Sequence, residues 1–320
     1  VGSEMCIRDS VYTDYENGNW CEGLTAYLSD HLYDEKKGNG SKHRKKLLLD
    51  YQNYVNPHNE IPLNVFQQRT DSATRSIGYG KGAFFFHMLK NQVGEEIFYK
   101  ALRQLIEENS FTRASWDDIF KSFESTSNTD LGWFFDQWLS RKGLPQIEVT
   151  DIRVLMMGEK YTVSFRAVQH GTVYKLSLPV RITTDKEDIT QILDLEKKSQ
   201  YFEFTVPGKP LQMIIDGDYD IFRKLSDDEC PPVISGLLGD PQRKVVFPEG
   251  QKEKSEGVIS FLETQGFTPV DEKDIKDRDI ASSSLLLLDS NGAVYRRLFG
   301  RAETFPDTGV SFKTYTNPLN

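Results

Sequence analysis

The sequence predicts a multidomain α+β protein: a helical part, then a β-sandwich, then a small α/β domain. Three observations predict it. Apolar residues recur at three- and four-residue steps from Trp20 to about Gly143, the period shortens to two between Gln146 and about Leu225, and a strand, helix, strand order begins at Lys244. These are the signatures of amphipathic helices, half-buried strands and a partly parallel sheet. The bounds that follow are 11–143, 144–226 and 241–320, with 227–240, which contains Pro231 and Pro232, as a linker. Residues 1–10 have neither periodicity nor an apolar run behind a basic start, and read as foreign sequence joined at a break. A chain of 320 residues has room for two or three domains and a sizeable core.

The first helix opens at Trp20 and carries Leu24, Tyr27, Leu28, His31 and Leu32 inward, with Asp30, Asp34 and Glu35 on another face. Glu22 enters its first turn, where the helix dipole favours an anion, and Gly23 follows. By itself Glu22 reads as an acid that complements the dipole. After the break at Gly38, Asn39 and Gly40, Ser41 is expected to cap a helix through Leu47, Leu48, Tyr51 and Tyr54. The cluster Lys42, His43, Arg44, Lys45, Lys46 reads as its solvated face. Asn59 to Arg69, with Pro62 inside, reads as an extended connector, or as the lining of a cleft.

Arg75-Ser76-Ile77-Gly78-Tyr79-Gly80-Lys81-Gly82-Ala83 then leads into a helix with Phe84, Phe85 and Phe86. Glycines at alternate helical positions cost roughly 1 kcal/mol each relative to Ala. Their presence around Tyr79 implies a close approach, of another backbone or of a substrate. Glu95 to Glu107 forms an amphipathic helix, and Ser115 to Asp118 has capping-box spacing for the helix of Ile119, Phe120 and Phe123. Thr129 or Asp130 caps the next, which buries Leu131, Trp133, Phe134, Phe135, Trp138 and Leu139.

From Gln146 to about Leu225 short alternating runs are separated by turn signals at about ten-residue intervals, as in a β-sandwich. Asp216, Asp218 and Asp220 resemble a calcium loop weakly; the rest of such a loop is absent, and turn chemistry accounts for them. In the last domain Lys244 to Phe247 and Leu285 to Leu288 read as strands and Glu253 to Gln265 as a helix. Arg296 to Phe299 and Val310 to Lys313 read as two more strands. Pro248-Glu249-Gly250 follows the first strand, but neither a dinucleotide fingerprint nor a phosphate loop is present, and the domain reads as accessory.

Charged residues make up 27% and the net charge is -9, which argues against a general nucleic-acid surface. No apolar run approaches the roughly twenty residues that cross a bilayer. Of the cysteines, Cys21 and Cys230 are too far apart in sequence to indicate a disulfide framework or a Cys-rich metal site. Cys21 reads as a small buried residue at a helix start.

Three stretches, Gly18 to Tyr27, Arg75 to Ala83, and Leu131 to Trp138 with Gly143-Leu144-Pro145, resemble in order and spacing the zinc aminopeptidase family typified by membrane alanyl aminopeptidase, within the gluzincins. The resemblance runs from Gly18 to about Leu225. In that family a Trp-x-x-Glu-Gly motif supplies the third zinc ligand, a tyrosine hydrogen-bonds the tetrahedral oxyanion, and a β-sandwich follows the catalytic domain. The resemblance thus implies Glu22 as a metal ligand, Tyr79 as a catalytic residue, zinc as cofactor and a peptide as substrate. It implies that residues 11–143 are the helical C-terminal half of a gluzincin catalytic domain.

A catalytic site of this kind also needs two His ligands and a general-base Glu. The five histidines are His31, His43, His58, His87 and His170, and none forms an H-E-x-x-H pair. The chain therefore reads as a fragment of a longer protein, cut just after the zinc-binding helix and inactive alone, with any signal peptide or anchor upstream. A non-catalytic binding or scaffold relative is the alternative, and a glycyl aminopeptidase shares the Glu-Gly-x-Thr-x-Tyr look of Glu22 to Tyr27. Substrate-binding residues, compartment and oligomeric state are not legible.

Overall fold

The computed structural model describes residues 10–158, 160–226, 229, 230, 240–289 and 292–299. All but Ser10 of the segment 1–10 read as foreign, most of the linker, and the strand expected at Val310 to Lys313 lie outside them. The chain divides into two compact units, Val1–Leu225 and Ser226–Asn320.

The first unit begins with a short strand β1 (Tyr12–Thr13) and a helix α1 over 21–36, in which α-helical Cys21–Ala26 and Leu32–Lys36 flank a π-helical stretch, Tyr27–His31. Trp20 precedes α1, fully buried, and its indole N–H donates to the Ala114 carbonyl at 2.7 Å. Helix α2 (Gly40–Tyr54) follows; Asn39 precedes its first turn, so it starts one residue before the expected Ser41 cap. Helix α3 runs over 72–93, with a π-helical stretch, Ser76–Lys81, leading into Gly82–Val93. It starts on a reciprocal cap: Asp71 Oδ1 accepts from the Thr74 N–H at 2.7 Å, and the Asp71 N–H donates to Thr74 Oγ1 at 2.9 Å.

Helices α4 (Glu95–Glu108) and α5 (Trp116–Ser127) complete the helical layer with α6 over 132–140. Strand β2 (Arg113–Ala114) pairs in parallel with β1. The expected capping box is present, with the Ser115 N–H and Oγ both donating to Asp118 Oδ2 at 2.8 Å. Asp130 caps α6, accepting from the Gly132 N–H at 3.0 Å. Phe85, Phe86, Phe98, Phe123, Phe134 and Trp116 form the core between these helices. Each such ring removes enough apolar surface from water to contribute roughly 1.5–3 kcal/mol.

Six strands follow: β3 (Gln146–Met157), β4 (Lys160–His170), β5 (Leu176–Thr184), β6 (Asp188–Leu195), β7 (Ser199–Val206) and β8 (Pro210–Ile215). They form two three-stranded antiparallel sheets, in the orders β3-β4-β7 and β6-β5-β8. Leu176, Leu178, Val180 and Ile182 point to one buried face of β5, as the period-two alternation requires. Gln137 of α6 exchanges two hydrogen bonds with the backbone of Lys175, and Trp138 packs on Tyr174 with ring centroids 5.5 Å apart. These tie the sheets to the helices.

The second unit holds a parallel sheet in the order β10-β9-β11, from β9 (Lys244–Phe247), β10 (Thr268–Asp271) and β11 (Leu285–Leu287). Helix α7 (Lys252–Thr264) is the β9-to-β10 crossover and α8 (Asp277–Ser282) lies in the β10-to-β11 connection. Strand β10 was not predicted. It is an edge strand containing Pro269, and proline tolerates an edge while hiding the strand's signal. A correction concerns Arg296 to Phe299, which is not a strand: Ala293–Phe299 is a helix, α9, with Val294 and Tyr295 buried. Val294, Tyr295 and Leu298 have helical spacing, which the short apolar run had obscured. The cavity beside Pro248 is only about 10 Å³, enough for one water, and is lined by Phe247, Glu272, Asp289 and Tyr295 among others.

Candidate active site around Glu22 and Tyr79

Glycine builds this region. A Cβ on Gly23 would stand 2.7 Å from the Gly82 Cα and 3.2 Å from the Gly78 carbonyl oxygen; one on Gly82 would stand 2.8 Å from the Gly23 Cα. Helices α1 and α3 therefore meet backbone to backbone, which only residues without side chains permit. A Cβ on Gly78 would fall 2.1 Å from the ring of Phe66, which the connector before α3 delivers fully buried. Of the two expectations for these glycines, close approach of another backbone accounts for Gly82, while at Gly78 the space is taken by the Phe66 side chain. Gly80 is different, since the nearest atom to its added Cβ is 4.0 Å away.

Glu22 and Tyr79 each lie next to a glycine of this crossing, Glu22 before Gly23 and Tyr79 after Gly78. Both are half-buried. Among the described residues Glu22 takes no hydrogen bond and no ion pair, so its oxygens are open to a donor or a cation. Tyr79 meets the Phe66 ring edge-on, at 6.5 Å between centroids. The same short stretch contains a buried cation: Lys81 is 1% exposed, and its Nζ donates to the Arg141 carbonyl at 2.7 Å. Burial pushes its ammonium down to about 8, against the pull of Glu60. Glu60 accepts from the Tyr51 hydroxyl at 2.6 Å and from the Gly143 N–H.

Zinc was implied as cofactor. Among the described residues no group of three or more His, Cys, Asp or Glu is placed to hold a metal ion. Glu22 alone does not make a tetrahedral site, which takes three protein ligands and an open position. The Trp-x-x-Glu-Gly spacing is not met either, because Trp20 stands two residues before Glu22 and buried Asn19 stands three before it.

Against known families, residues 14–138 match the Peptidase family M1 domain. The matched segment, less than half of the chain, contains the Glu22 and Tyr79 stretches and the helical layer up to Trp138. Over 208 residues the chain is 23% identical to leucyl aminopeptidase of Saccharolobus solfataricus, covering 61% of this chain and 26% of that protein. Over 120 residues it is 28% identical to glutamyl aminopeptidase of Sus scrofa, covering 36% of this chain and 13% of that protein. The chain thus spans about a quarter or less of the length of these relatives. A crystal structure of Legionella pneumophila aminopeptidase A in complex with aspartic acid aligns with a TM-score of 0.48 at 18% identity, covering 75% of this chain and 27% of that one. No helix among the described residues is long and apolar enough to cross a membrane.

The structure also brings together a polar cluster that sequence reasoning missed. Arg44 is not on a solvated face, which corrects the reading of Lys42 to Lys46: it is 4% exposed. Its Nη1 donates to Glu35 Oε2 at 2.6 Å and to His31 Nε2 at 2.9 Å, its Nε donates to the Asp218 carbonyl at 3.0 Å, and its Nη2 lies 3.3 Å from Asp220 Oδ1. His87 Nε2 donates to the same Asp220 oxygen at 2.9 Å. Asp216 in this turn is buried against Arg223 at 2.6 Å and accepts the Asp220 N–H at 2.6 Å. The acidic triplet therefore serves the turn and the helix contacts. Only the buried histidines hinted at the cluster; its acidic half comes from beyond the sheets.

Proposed function

We propose that this chain is part of a zinc-dependent aminopeptidase that hydrolyses N-terminal peptide bonds, in which Glu22 is a metal ligand and Tyr79 a catalytic hydrogen-bond donor. The observation that carries it is the backbone contact of Gly23 with Gly78 and Gly82, which sets the start of α1 against the Tyr79 stretch within the segment that matches the M1 domain. The aminopeptidase names of the relatives support the same class of reaction. Zinc, when bound, would supply Lewis acidity and an activated water. The described residues offer it one ligand, so two His ligands and the general-base Glu are assigned to sequence outside this chain, and the chain alone is assigned no turnover.

Within the reading, the carboxylate of Glu22 is held by a helix that cannot shift along α3, because Cα atoms already touch at Gly23 and Gly82. The Tyr79 phenol donates a hydrogen bond to an oxyanion as it develops, an effect of roughly 3–4 kcal/mol for a single such donor. The test uses a longer protein in which a segment carrying H-E-x-x-H precedes this chain. Glu22→Ala should abolish zinc retention measured by atomic emission. Tyr79→Phe should keep the zinc and lower kcat on an aminoacyl amide by about 100-fold or more. Full zinc content and activity in Glu22→Ala would remove the assignment, and absence of H-E-x-x-H upstream would favour a non-catalytic relative.

A further inference from the structure

We propose that His31, Arg44, His87 and Asp220 form a pH-sensitive latch that holds the 216–222 turn against the helical layer near neutrality and releases it on acidification. The inference does not depend on the peptidase reading. It rests on the donors and acceptors of the cluster. Arginine has no acceptor, so the 2.9 Å contact with Arg44 Nη1 requires His31 Nε2 to accept. The neutral His31 ring must then carry its proton on Nδ1, which is buried without a hydrogen-bond partner among the described residues. On His87 the Nε2 proton goes to Asp220, and Nδ1 is likewise buried and unpartnered.

Protonation of His31 puts a donor against the Arg44 donor and a cation against a cation. The other basic groups near it come from every neighbouring helix: His43 on α2, and His87 and Lys90 on α3. Of the acids around it, Glu35 is within ion-pair distance, its Oε2 3.6 Å from Nε2 and already accepting from Arg44, and Asp220 also interacts with it. Charged His31 competes with Arg44 for the Glu35 carboxylate. Arg44 is also the group that grips the Asp218 carbonyl and Asp220, so displacing it removes these polar ties to α2 and leaves there the ring packing of Phe222 on Tyr51, at 4.8 Å between centroids, and Lys45 over the Tyr219 ring. The turn is then held to α3 by His87 and by the Phe222 N–H, which donates to Met88 Sδ at 3.4 Å. Around His87 stand Asp220 and Glu35, which favour its charged form, and Arg44, which opposes it together with burial. Asn91 Nδ2 lies 3.2 Å from its Nε2.

Burial, followed by His87 and Arg44, pushes His31 down to about 2 in the closed form. In an opened form its pKa is about 6.5, so opening takes up a proton and is favoured as pH falls through that value. For His31 alone the opening equilibrium rises about 25-fold from pH 7 to pH 5. Asp216 acts in the opposite sense, because burial pushes its carboxyl up, to about 7, but it is bound inside its own turn and is common to wild type and variant.

The experiment is hydrogen–deuterium exchange on the whole chain between pH 7 and pH 5, corrected for intrinsic exchange, at the amides of Asp220 and Phe222 with α4 as internal reference. The opening at 216–222 should grow about 25-fold more in wild type than in His31→Phe, while α4 keeps its protection. An equal pH response in the two proteins overturns the proposal, and so does loss of protection in α4 in step with the turn. Should His31→Phe not fold, ¹⁵N NMR of the wild-type histidines decides. The His31 ring must be neutral and Nδ1-protonated at pH 6; a charged ring or the Nε2–H tautomer at that pH overturns the latch.

Discussion

The two ends of α1 are anchored to α3 by opposite means. At its N-terminal end Gly23 lies on Gly78 and Gly82 with no side chain between. At its C-terminal end His31 and Glu35 enter a buried network with Arg44, His87 and Asp220. The first contact depends on absent atoms and is indifferent to pH. The second depends on protonation states and on a turn far along the chain. One helix thus combines an end keyed by glycines beside the proposed catalytic residues with a titratable end that meets a turn remote in sequence.

This contrast can be broken most forcefully at the polar end. Arg44→Met keeps the aliphatic stem but leaves Asp220 and Glu35 without their cation. Both are partly exposed, so the loss should lie near the lower bound of the roughly 3–5 kcal/mol typical of a broken buried pair, read from urea denaturation. At the apolar end Gly23→Ala should cost roughly 1–3 kcal/mol through overpacking, because the obstructing atoms are backbone. Gly80→Ala, with open space at its Cβ, should instead gain up to about 1 kcal/mol. A loss at Gly80 equal to that at Gly23 would mean that close approach does not distinguish them.

The contrast is sharpened by Lys81, a charged group at the apolar end whose effect appears only as pH changes. Its ammonium is pushed down by burial to about 8, so the unfolded state holds its proton more tightly. Stability should therefore rise between pH 8 and pH 10, by about 1 kcal/mol per pH unit relative to Lys81→Met. Parallel denaturation curves of the two proteins across that range would contradict the burial of Lys81.

Legibility in the sequence followed the same division. The inward stripe of α1, the capping box of Ser115 and Asp118 and the six strands from Gln146 onward are local patterns of period and end chemistry, and they were read from the residues. The glycines around Tyr79 also announced a close approach, since their helical cost has no other local return. Arg44 was misread because its basic neighbours imply solvent, while its partners Asp218 and Asp220 arrive after the sheets. Strand β10 was hidden by Pro269, and α9 by an apolar run too short to show its period. Of the candidate site, position along the chain was legible; whether Glu22 and Tyr79 serve one reaction rests on the kinetic test.

Contact between two α-carbons has no rotamers with which to absorb a displacement. Where ordinary helix pairs can slide by a fraction of a turn as their side chains repack, α1 and α3 are keyed at Gly23 and Gly82. Thermal motion of the two helices at that point should then be concerted, so that whatever moves one moves the other by the same amount.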